Sequence, residues 1–184
     1  RDPEMVLKFY NERRKQVRNA KPNKAHVALG KLEEKYDVHI ITQNIDDLHE
    51  RAGSTQVIHL HGEVNKARSS IDSGLVYELD HWEMKLGDLC EKGSQLRPHI
   101  VWFGESVPMI EKAIPIVEMA DRLIVIGTSL AVYPAAGLLN YATSSSQKYY
   151  IDPKGFEGDN HYPFVIIKET AGVGVPRLVD QLLQ

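Results

Sequence analysis

The sequence has only one cysteine among its 184 residues, Cys90, which excludes an internal disulfide and a zinc site built from several cysteines of this chain. It also lacks a basic excess, since 22 Lys and Arg are set against 25 Asp and Glu. Nucleic-acid binding needs a concentrated positive surface, so no nucleic-acid partner is expected. No apolar run reaches the roughly 18 residues of a bilayer span, and no signal-peptide pattern opens the sequence. We therefore expect no membrane association and a cytoplasmic location.

Short apolar segments are present, and they alternate with stretches of helical periodicity. Helices are predicted from Pro3, after a capping Asp2, and from the residue after Asn23. The segments VHIIT, HIVWFG, RLIVIG, KYYID and FVIIKE are typical of buried strands. Strands that alternate with helices indicate a parallel sheet with helices on both faces. The predicted fold class is therefore α/β.

Residues 64–95 break this alternation, because they are polar, rich in turn residues and without a clear period. A stretch of that length is too long for an ordinary connection. We interpret it as a small lobe inserted into a main domain of residues 1–63 and 96–184. The helices within residues 2–36 are expected to belong in part to the lobe.

Polar side chains follow three of the predicted strands. Gln43 and Asn44 follow VHIIT, Thr128 and Ser129 follow RLIVIG, and Asp152 ends KYYID. Ligands of open α/β sheets bind beyond the carboxyl ends of the strands, so these side chains are expected at one edge. The turn that begins at Gly127 suits a phosphate or ribose oxygen, although an ordinary strand-to-helix turn fits it equally well. The Gly-x-Gly-x-x-Gly fingerprint of dinucleotide binding does not occur.

His59 and His61 stand two residues apart in VIHLHGE, so they would share one face of an extended segment. A neutral imidazole accepts a proton near neutral pH, which makes His61 a candidate general base. A metal-binding pair is a second interpretation, ranked lower because no third ligand has a clear spacing. A histidine that only completes a strand end is the third interpretation.

The first predicted helix carries a stripe formed by Val6, Tyr10, Arg13 and Val17. Arg13 either extends to solvent or, with Tyr10 one turn away, presents a guanidinium and a phenol to a carboxylate. The basic run ERRKQVR around it is interpreted as a solvated helix face. The later run LRPHIVWFGE is interpreted either as core or as an edge that pairs with an extended peptide.

Four strings, TQNIDDLHERAG, VIHLHGE, LRPHIVWFGE and GTSLAVYPAAG, stand in an order that resembles the sirtuins, the NAD-dependent protein-lysine deacylases. The resemblance extends over most of the chain. It implies a Rossmann-like NAD-binding domain and an acylated lysine of a protein as substrate. It also implies that NAD is a consumed cosubstrate, with nicotinamide and O-acyl-ADP-ribose as products.

Individual roles follow from the same resemblance. His61 matches the catalytic base, and Asn44 and Asp46 match residues that orient nicotinamide and a water. The positions that match NAD contacts are Gln43, Asn44, Ile45, Asp46, Gly127, Thr128, Ser129, Tyr150, Ile151, Asp152 and Ala171. The segment at 150–152 usually begins with Asn, which is absent here. Trp102, Phe103, Gly104 and Glu105 resemble the strand that pairs with the acyl-lysine peptide.

Tyr10 and Arg13 match the Tyr-x-x-Arg pair of the sirtuins that accept succinyl and malonyl groups. The resemblance therefore implies a desuccinylase or demalonylase, with acetyl-lysine as a further substrate. Two alternatives stay open. One is a catalytically silent module that binds ADP-ribose, nicotinamide or an acylated peptide, and the other is an ADP-ribosyltransferase that uses the same pocket.

The sequence departs from the family pattern in two places. Ser69 stands where the first of four zinc cysteines is expected, with Cys90 near the third or fourth. One thiolate cannot hold a tetrahedral zinc, so no metal is predicted. The family's first strand and its glycine-rich loop do not occur in the sequence, so the first βα unit is expected to be absent from this chain.

Overall fold

The computed structural model describes residues 2–156 and 162–184. Its helices are α1 (Pro3–Asn19), α2 (Lys24–Leu32), α3 (Leu48–Arg51), α4 (Ile110–Met119) and α5 (Ala171–Leu183), with a 3-10 helix at Ala135–Tyr141. Its strands are β1 (Ile40–Thr42), β2 (Val57–His59), β3 (Gly62–Ser69), β4 (Val76–Glu78), β5 (Leu96–Ile100), β6 (Arg122–Ile126), β7 (Gln147–Ile151) and β8 (Phe164–Ile167). Within these ranges, no helix combines the length and the apolar character that crossing a bilayer requires.

The starts of α1 and α2 are confirmed together with their caps. The Asp2 carboxylate accepts a hydrogen bond from the Met5 amide at 3.0 Å, and Pro3 occupies the first helical position. The Asn23 side-chain oxygen accepts from the Ala25 and His26 amides at 2.8 and 3.2 Å. These bonds satisfy amides that have no partner within the first turn of a helix.

The parallel strands form two separate sheets in the described part of the chain. Strands β1 and β2 pair in parallel, and β6, β7 and β8 form a second parallel sheet in that order. Helices α2 and α5 pack together beside the second sheet, around a core that includes Leu29, Leu32, Ile151, Leu178 and Val179. The first sheet packs against α4 and the 3-10 helix through Leu60, Ala113 and Val117. The predicted α/β class is confirmed.

A third sheet, in the order β4-β3-β5, is antiparallel, and we call this sheet with its connecting loops the lobe. It runs from Gly62 to Ile100 and so includes the stretch in which the sequence shows no period. The assignment of HIVWFG to the parallel sheet was wrong, because β5 ends at Ile100 and pairs antiparallel with β3. A short apolar run does not show which sheet it will join, because its partner strand is distant in sequence and the pairing depends on tertiary packing.

Helix α1 attaches to the lobe through polar residues that the sequence reading placed in solvent. Its buried residues are Leu7, Asn11, Arg14 and Val17. This face shares Val17 with the predicted stripe of Val6, Tyr10, Arg13 and Val17 but is otherwise shifted from it by one residue. Arg14 is fully buried, and it donates from Nε to the Val64 carbonyl and from Nη1 to the Trp82 carbonyl, both at 2.6 Å. Burial, followed by repulsion from Arg18, lowers the pKa of Arg14 to about 10. The guanidinium therefore remains charged near neutral pH.

Candidate active site

The loop after β1 is held by the segment that follows β2. Each of four successive carbonyls receives a hydrogen bond: Thr42 from the Leu60 amide (2.9 Å), Gln43 from His61 Nδ1 (3.2 Å), Asn44 from His59 Nδ1 (3.1 Å) and Ile45 from the Val64 amide (2.8 Å). We call this arrangement, residues 42–45 held by residues 59–64, the carbonyl clamp. Because every carbonyl has a partner, the backbone of this polar loop is fixed before any ligand arrives.

His61 is set up as a proton acceptor by its place in the clamp. A carbonyl can only accept, so Nδ1 carries the hydrogen that bonds to Gln43. In a neutral imidazole the other nitrogen, Nε2, then has the free lone pair. Nε2 has no hydrogen-bond partner within residues 2–156 and 162–184, and the ring is half-buried. This geometry suits a general base.

His59 has a different environment, although it lies only two residues away. Its Nδ1 donates to the Asn44 carbonyl, and its Nε2 lies 2.7 Å from a Glu50 carboxylate oxygen. Burial alone would lower the pKa of His59, but the hydrogen bonds to Glu50 and Asn44 outweigh it and raise that pKa. Its two nitrogens face a carbonyl and a carboxylate, which only accept, so this environment favours the protonated form of His59 and lets the ring hold the loop. Strand β2 ends at His59 and His61 lies in a turn, so the expectation of one shared extended face was wrong.

Glu50, His59 and Glu63 place ligand atoms within 4.8 Å of one another, which is close enough to surround a cation. The acids already have other partners. Glu50 accepts from His59, and Glu63 pairs with Lys66 Nζ at 2.8 Å. Each carboxylate is thus already paired, Glu50 with His59 of the same cluster and Glu63 with Lys66 outside it.

The side chains of the polar loop remain open to a ligand. Within the described part of the chain, neither the Gln43 nor the Asn44 amide has a side-chain hydrogen bond. Asp46 uses one carboxylate oxygen to accept from the Leu48 amide at 3.1 Å, which starts α3. Two free amides and a partly free carboxylate therefore lie in one short loop beside the clamp histidines.

A histidine pair adjoins α3. The rings of His26 and His49 lie 4.7 Å apart, edge to face. Burial lowers the pKa of both, and for His49 the neighbouring His26 lowers it further. The surroundings of these two rings thus disfavour the charged form, in contrast to those of His59.

A second group of predicted residues lines a cleft of about 720 Å³ beyond β6 and β7. Ser129, Tyr150 and Asp152 form part of its wall, together with Leu130, Tyr133, Phe156 and Tyr162. Gly127 adopts a φ of 59°, which bends the chain away from β6, and Tyr150 donates to the Thr128 carbonyl at 2.6 Å. The size and the mix of aromatic walls with a few polar groups fit a nucleoside.

Not every predicted residue offers its side chain to this cleft. The side chain of Ile151 is fully buried in the core, and its carbonyl accepts from the Gly127 amide at 2.9 Å. Ala171 is half-buried at the first position of α5. The structure thus brings Ser129, Tyr150 and Asp152 together in one cleft, whereas residues 43–46 lie at the carbonyl clamp.

The third group connects α1 with the turn after β5. Trp102 Nε1 donates to the Tyr10 hydroxyl at 2.8 Å, and Phe103 is fully exposed. Glu105 faces inward, where it accepts from Arg97 at 2.7 Å and from Arg68 at 3.1 Å. Burial alone would raise the pKa of Glu105, but the Arg97 hydrogen bond outweighs it and lowers that pKa. Residues 102–105 form a turn around Gly104, with a φ of 88°, instead of the expected strand.

Comparison with known proteins decides the family. The Sir2 family model matches residues 1–134 of this chain, well over half of it. The chain belongs to the Sir2 family. A Helicobacter pylori protein named NAD-dependent protein deacylase is 50% identical over 186 residues, which cover 100% of this chain and 80% of that protein. A protein of the same name from Bacteroides thetaiotaomicron is 48% identical over 188 residues, with 100% and 80% covered.

Solved Sir2 structures share the fold. A mutant Sir2 homologue in complex with ADP-ribose has a TM-score of 0.89 and 40% identity, and the match covers 99% of this chain and 75% of that one. A complex of a Sir2 homologue with NAD has a TM-score of 0.88 and 39% identity, with 99% and 73% covered. These relationships confirm the sirtuin fold.

The side chains of the lobe do not provide the ligands of the structural zinc that the family resemblance implies. Ser69, Cys90 and Ser94 meet there, with the two hydroxyl oxygens 2.8 Å apart and the Cys90 sulfur 3.4 and 3.2 Å from them. A structural zinc takes four sulfur or nitrogen ligands, and this set offers one. Hydrogen bonds join β3 to the turn before β5 where a metal would otherwise do so.

Sequence reasoning missed several residues that hold this sirtuin's site in place. Glu50 fixes His59, Arg97 stacks on Trp102 with its guanidinium carbon 3.6 Å from the ring centroid, and Arg14 secures α1. A signal was available for Arg14, because Leu7, Asn11 and Arg14 are spaced by four and three residues along one helix face. Nothing local in the sequence indicates the partners of Glu50 or Arg97.

Proposed function

We propose that this sirtuin removes succinyl and malonyl groups from protein lysines in an NAD-consuming reaction, and that it also accepts acetyl-lysine. The observation that carries the proposal is the tautomer of His61, which leaves Nε2 free as a base beside the unoccupied amides of Gln43 and Asn44. Relatives that are 48–50% identical carry the name NAD-dependent protein deacylase, which supports the deacylase activity and the use of NAD.

The residues divide the work by their chemistry. When bound, NAD would supply the ribose carbon that gives up nicotinamide and the ribose hydroxyl oxygen that takes over the acyl group. Gln43 and Asn44 have both donors and acceptors to offer, which suits a carboxamide such as that of nicotinamide. His61 Nε2 accepts the proton of a ribose hydroxyl, and Asp46 has a carboxylate oxygen left to hold a water. The clamp keeps these groups in place throughout, so their contribution is positioning and proton transfer.

The cleft at 129, 150 and 152 takes the adenosine half in this proposal. The Asp152 carboxylate is a pure acceptor and suits ribose hydroxyls, and the aromatic rings of Tyr150 and Phe156, whose centroids are 5.1 Å apart, line the space beside it. Ser129 adds a hydroxyl that can donate or accept.

The preference for acidic acyl groups is assigned to Tyr10 and Arg13. Arg13 is exposed, and among the described residues its guanidinium makes only one hydrogen bond, a long one of 3.3 Å to Gln16. It can therefore turn to an incoming carboxylate, which binds guanidinium more strongly than a neutral group does. Acetyl-lysine has no such carboxylate and gains nothing from Arg13.

The test is mass-spectrometric turnover of one peptide carrying either succinyl-lysine or acetyl-lysine, with and without NAD. We expect NAD-dependent release of free lysine peptide and nicotinamide, faster for the succinyl form. His61→Ala should abolish turnover without changing the melting temperature by more than a few degrees. Arg13→Met should lower succinyl turnover about ten- to a hundredfold, the size of a lost hydrogen bond between charged groups.

The control for Arg13→Met is Lys8→Met, which removes another exposed cation from the same helix. Equal losses on both peptides in Arg13→Met would remove the acyl-selectivity role. Binding of ADP-ribose without any nicotinamide release would make the protein a binding module. Transfer of labelled ADP-ribose to protein, with no free lysine peptide, would make it an ADP-ribosyltransferase.

A further inference from the structure

The contact between Trp102 and Tyr10 joins the turn after β5 to the exposed side of α1. The Trp102 indole nitrogen lies 2.8 Å from the Tyr10 hydroxyl oxygen, and the two rings are 6.3 Å apart with an interplanar angle of 32°. The two residues are 92 positions apart in sequence. The bond therefore depends on how the lobe and α1 come together.

The direction of this hydrogen bond is fixed by chemistry. An indole N–H can only donate, so the Tyr10 oxygen accepts, and the hydroxyl hydrogen of Tyr10 cannot point toward Trp102. No acceptor for that hydrogen lies within hydrogen-bond distance among residues 2–156 and 162–184. Tyr10 is half-buried, so its hydroxyl hydrogen is available to a ligand. A carboxylate, which only accepts, is the complementary group.

Trp102 is itself held on two sides. The Arg97 guanidinium carbon lies 3.6 Å from the centroid of the indole ring. Glu105 accepts from Arg97 at 2.7 and 3.1 Å and from the Trp102 backbone amide at 2.9 Å. One carboxylate thus fixes the backbone of Trp102 and the cation stacked on its ring. The indole has little freedom to turn its N–H away from Tyr10.

We propose that Trp102 is a specificity-positioning residue, because its indole N–H orients the Tyr10 hydroxyl to donate to the carboxylate of an acidic acyl group. The inference rests on the proposed preference of this protein for succinyl and malonyl over acetyl groups. Trp102 acts through Tyr10 and needs no contact with the acyl group itself. An acetyl group lacks the carboxylate, so its turnover does not depend on this hydrogen bond.

The experiment measures kcat/KM for matched succinyl-lysine and acetyl-lysine peptides, together with the dissociation constants of both. Trp102→Phe keeps an aromatic ring for Arg97 and removes the N–H. We expect the succinyl-to-acetyl ratio of kcat/KM to fall about three- to tenfold, the effect of one neutral hydrogen bond. Trp82→Phe is the matched control, since Trp82 is the other tryptophan and is stacked by Lys15 instead. It should leave the succinyl-to-acetyl ratio unchanged.

Tyr10→Phe removes the acceptor of the same hydrogen bond. It provides an independent test if the Trp102→Phe variant does not fold. It should reduce the ratio at least as much, and the double variant should be no worse than Tyr10→Phe alone, because Trp102 has nothing left to orient. Additive losses, an unchanged ratio in either single variant, or an equal fall on both peptides would overturn the role of Trp102. A wild type without succinyl preference would overturn the proposed acyl specificity and this inference with it. A succinyl preference that survives Trp102→Phe removes the inference alone.

Discussion

The sheet β6-β7-β8 and the lobe β4-β3-β5 are held together by different forces. The first is covered by an apolar core that includes Leu29, Leu32, Ile151, Leu178 and Val179. The buried apolar cluster between the lobe and α1 is smaller and includes Leu7, Ala67 and Met84. Apolar burial contributes about 25 cal/mol per Å², so the lobe gains far less from it. Its cohesion comes instead from buried side chains that bond to backbone groups.

Three groups of polar contacts of the lobe involve the buried side chains of Arg14, Asn11 and Ser69. Arg14 holds the carbonyls of Val64 and Trp82, Asn11 forms a pair of 2.9 Å bonds with the backbone of Met84, and Ser69 meets Cys90 and Ser94. A buried hydrogen bond contributes little net free energy when made, but an unsatisfied buried partner is costly. The stability of the lobe is therefore sensitive to the loss of a single polar side chain. In the apolar core, stabilisation is shared among many contacts.

The largest effect is expected from Arg14→Met. The substitution leaves the buried Val64 carbonyl and the part-buried Trp82 carbonyl without this donor, and we expect the free energy of unfolding to fall by about 3 kcal/mol. Urea denaturation measures this loss. Arg13→Met, one residue along the same helix, is the control and should change stability by less than about 0.5 kcal/mol because Arg13 is exposed.

Leu178→Ala sharpens that result, because it removes a comparable amount of stability, about 2 to 5 kcal/mol, from the apolar core. Limited proteolysis should cut Arg14→Met first within the lobe, at residues 64–95, whereas Leu178→Ala should not show that preference. Identical cleavage patterns would mean that the two regions unfold as one unit and that the contrast between them is wrong.

An intermediate effect is expected at Ser69. Its hydroxyl contacts Ser94 and Cys90 and accepts from the Ile71 and Asp72 amides at 3.2 Å. Ser69→Ala should therefore lower stability by about 1 to 2 kcal/mol, measured as a shift in melting temperature. Ser70→Ala, at an exposed neighbouring position, should be neutral. A rise in wild-type melting temperature on adding Zn²⁺ would contradict the hydrogen-bonded account of the lobe.

The smallest effect concerns the ion pair of Glu50 and His59. The pKa of His59 is raised above its ordinary 6.5, so its contribution is complete below that value and is lost as pH rises through the raised pKa. The pKa of Glu50 is lowered from 4.5, because the hydrogen bond to His59 outweighs burial, which alone would raise it. The contribution of Glu50 to stability is therefore lost as pH falls through the lowered pKa. Stabilisation by the pair is therefore greatest between those two pKa values.

Glu50→Gln tests this window. Its stability deficit relative to wild type should be about 0.5 to 1 kcal/mol near pH 6, since Glu50 is partly exposed and screened, and should shrink toward pH 9. Glu34→Gln, at an exposed site, supplies the control for loss of a surface charge. A deficit that is constant across the range would show that His59 is uncharged in the clamp.

The sequence alone predicted most of the parallel framework. Asp2 and Asn23 mark the starts of α1 and α2, and the β-branched runs mark β1, β6, β7 and β8, since caps and apolar periodicity are local signals. The polar residues after β1 were predicted to lie at a site, and in the structure the carbonyl clamp holds their backbone. The face of α1 was predicted one residue away, because hydrophobicity gives no reason to bury Asn11 and Arg14.

Composition and local pattern thus determined the α/β class, the helix starts and the identity of the polar loop, and family-specific strings determined the Sir2 membership. Only the tertiary structure decided in which direction the pKa of each histidine shifts, because that pKa depends on the groups that face the ring, such as Glu50 beside His59. It also decided that β5 joins the lobe, that Glu105 faces inward and that Trp102 meets Tyr10. These are contacts between residues distant in sequence, and their partners are chosen by packing and hydrogen-bond satisfaction, which no local pattern records.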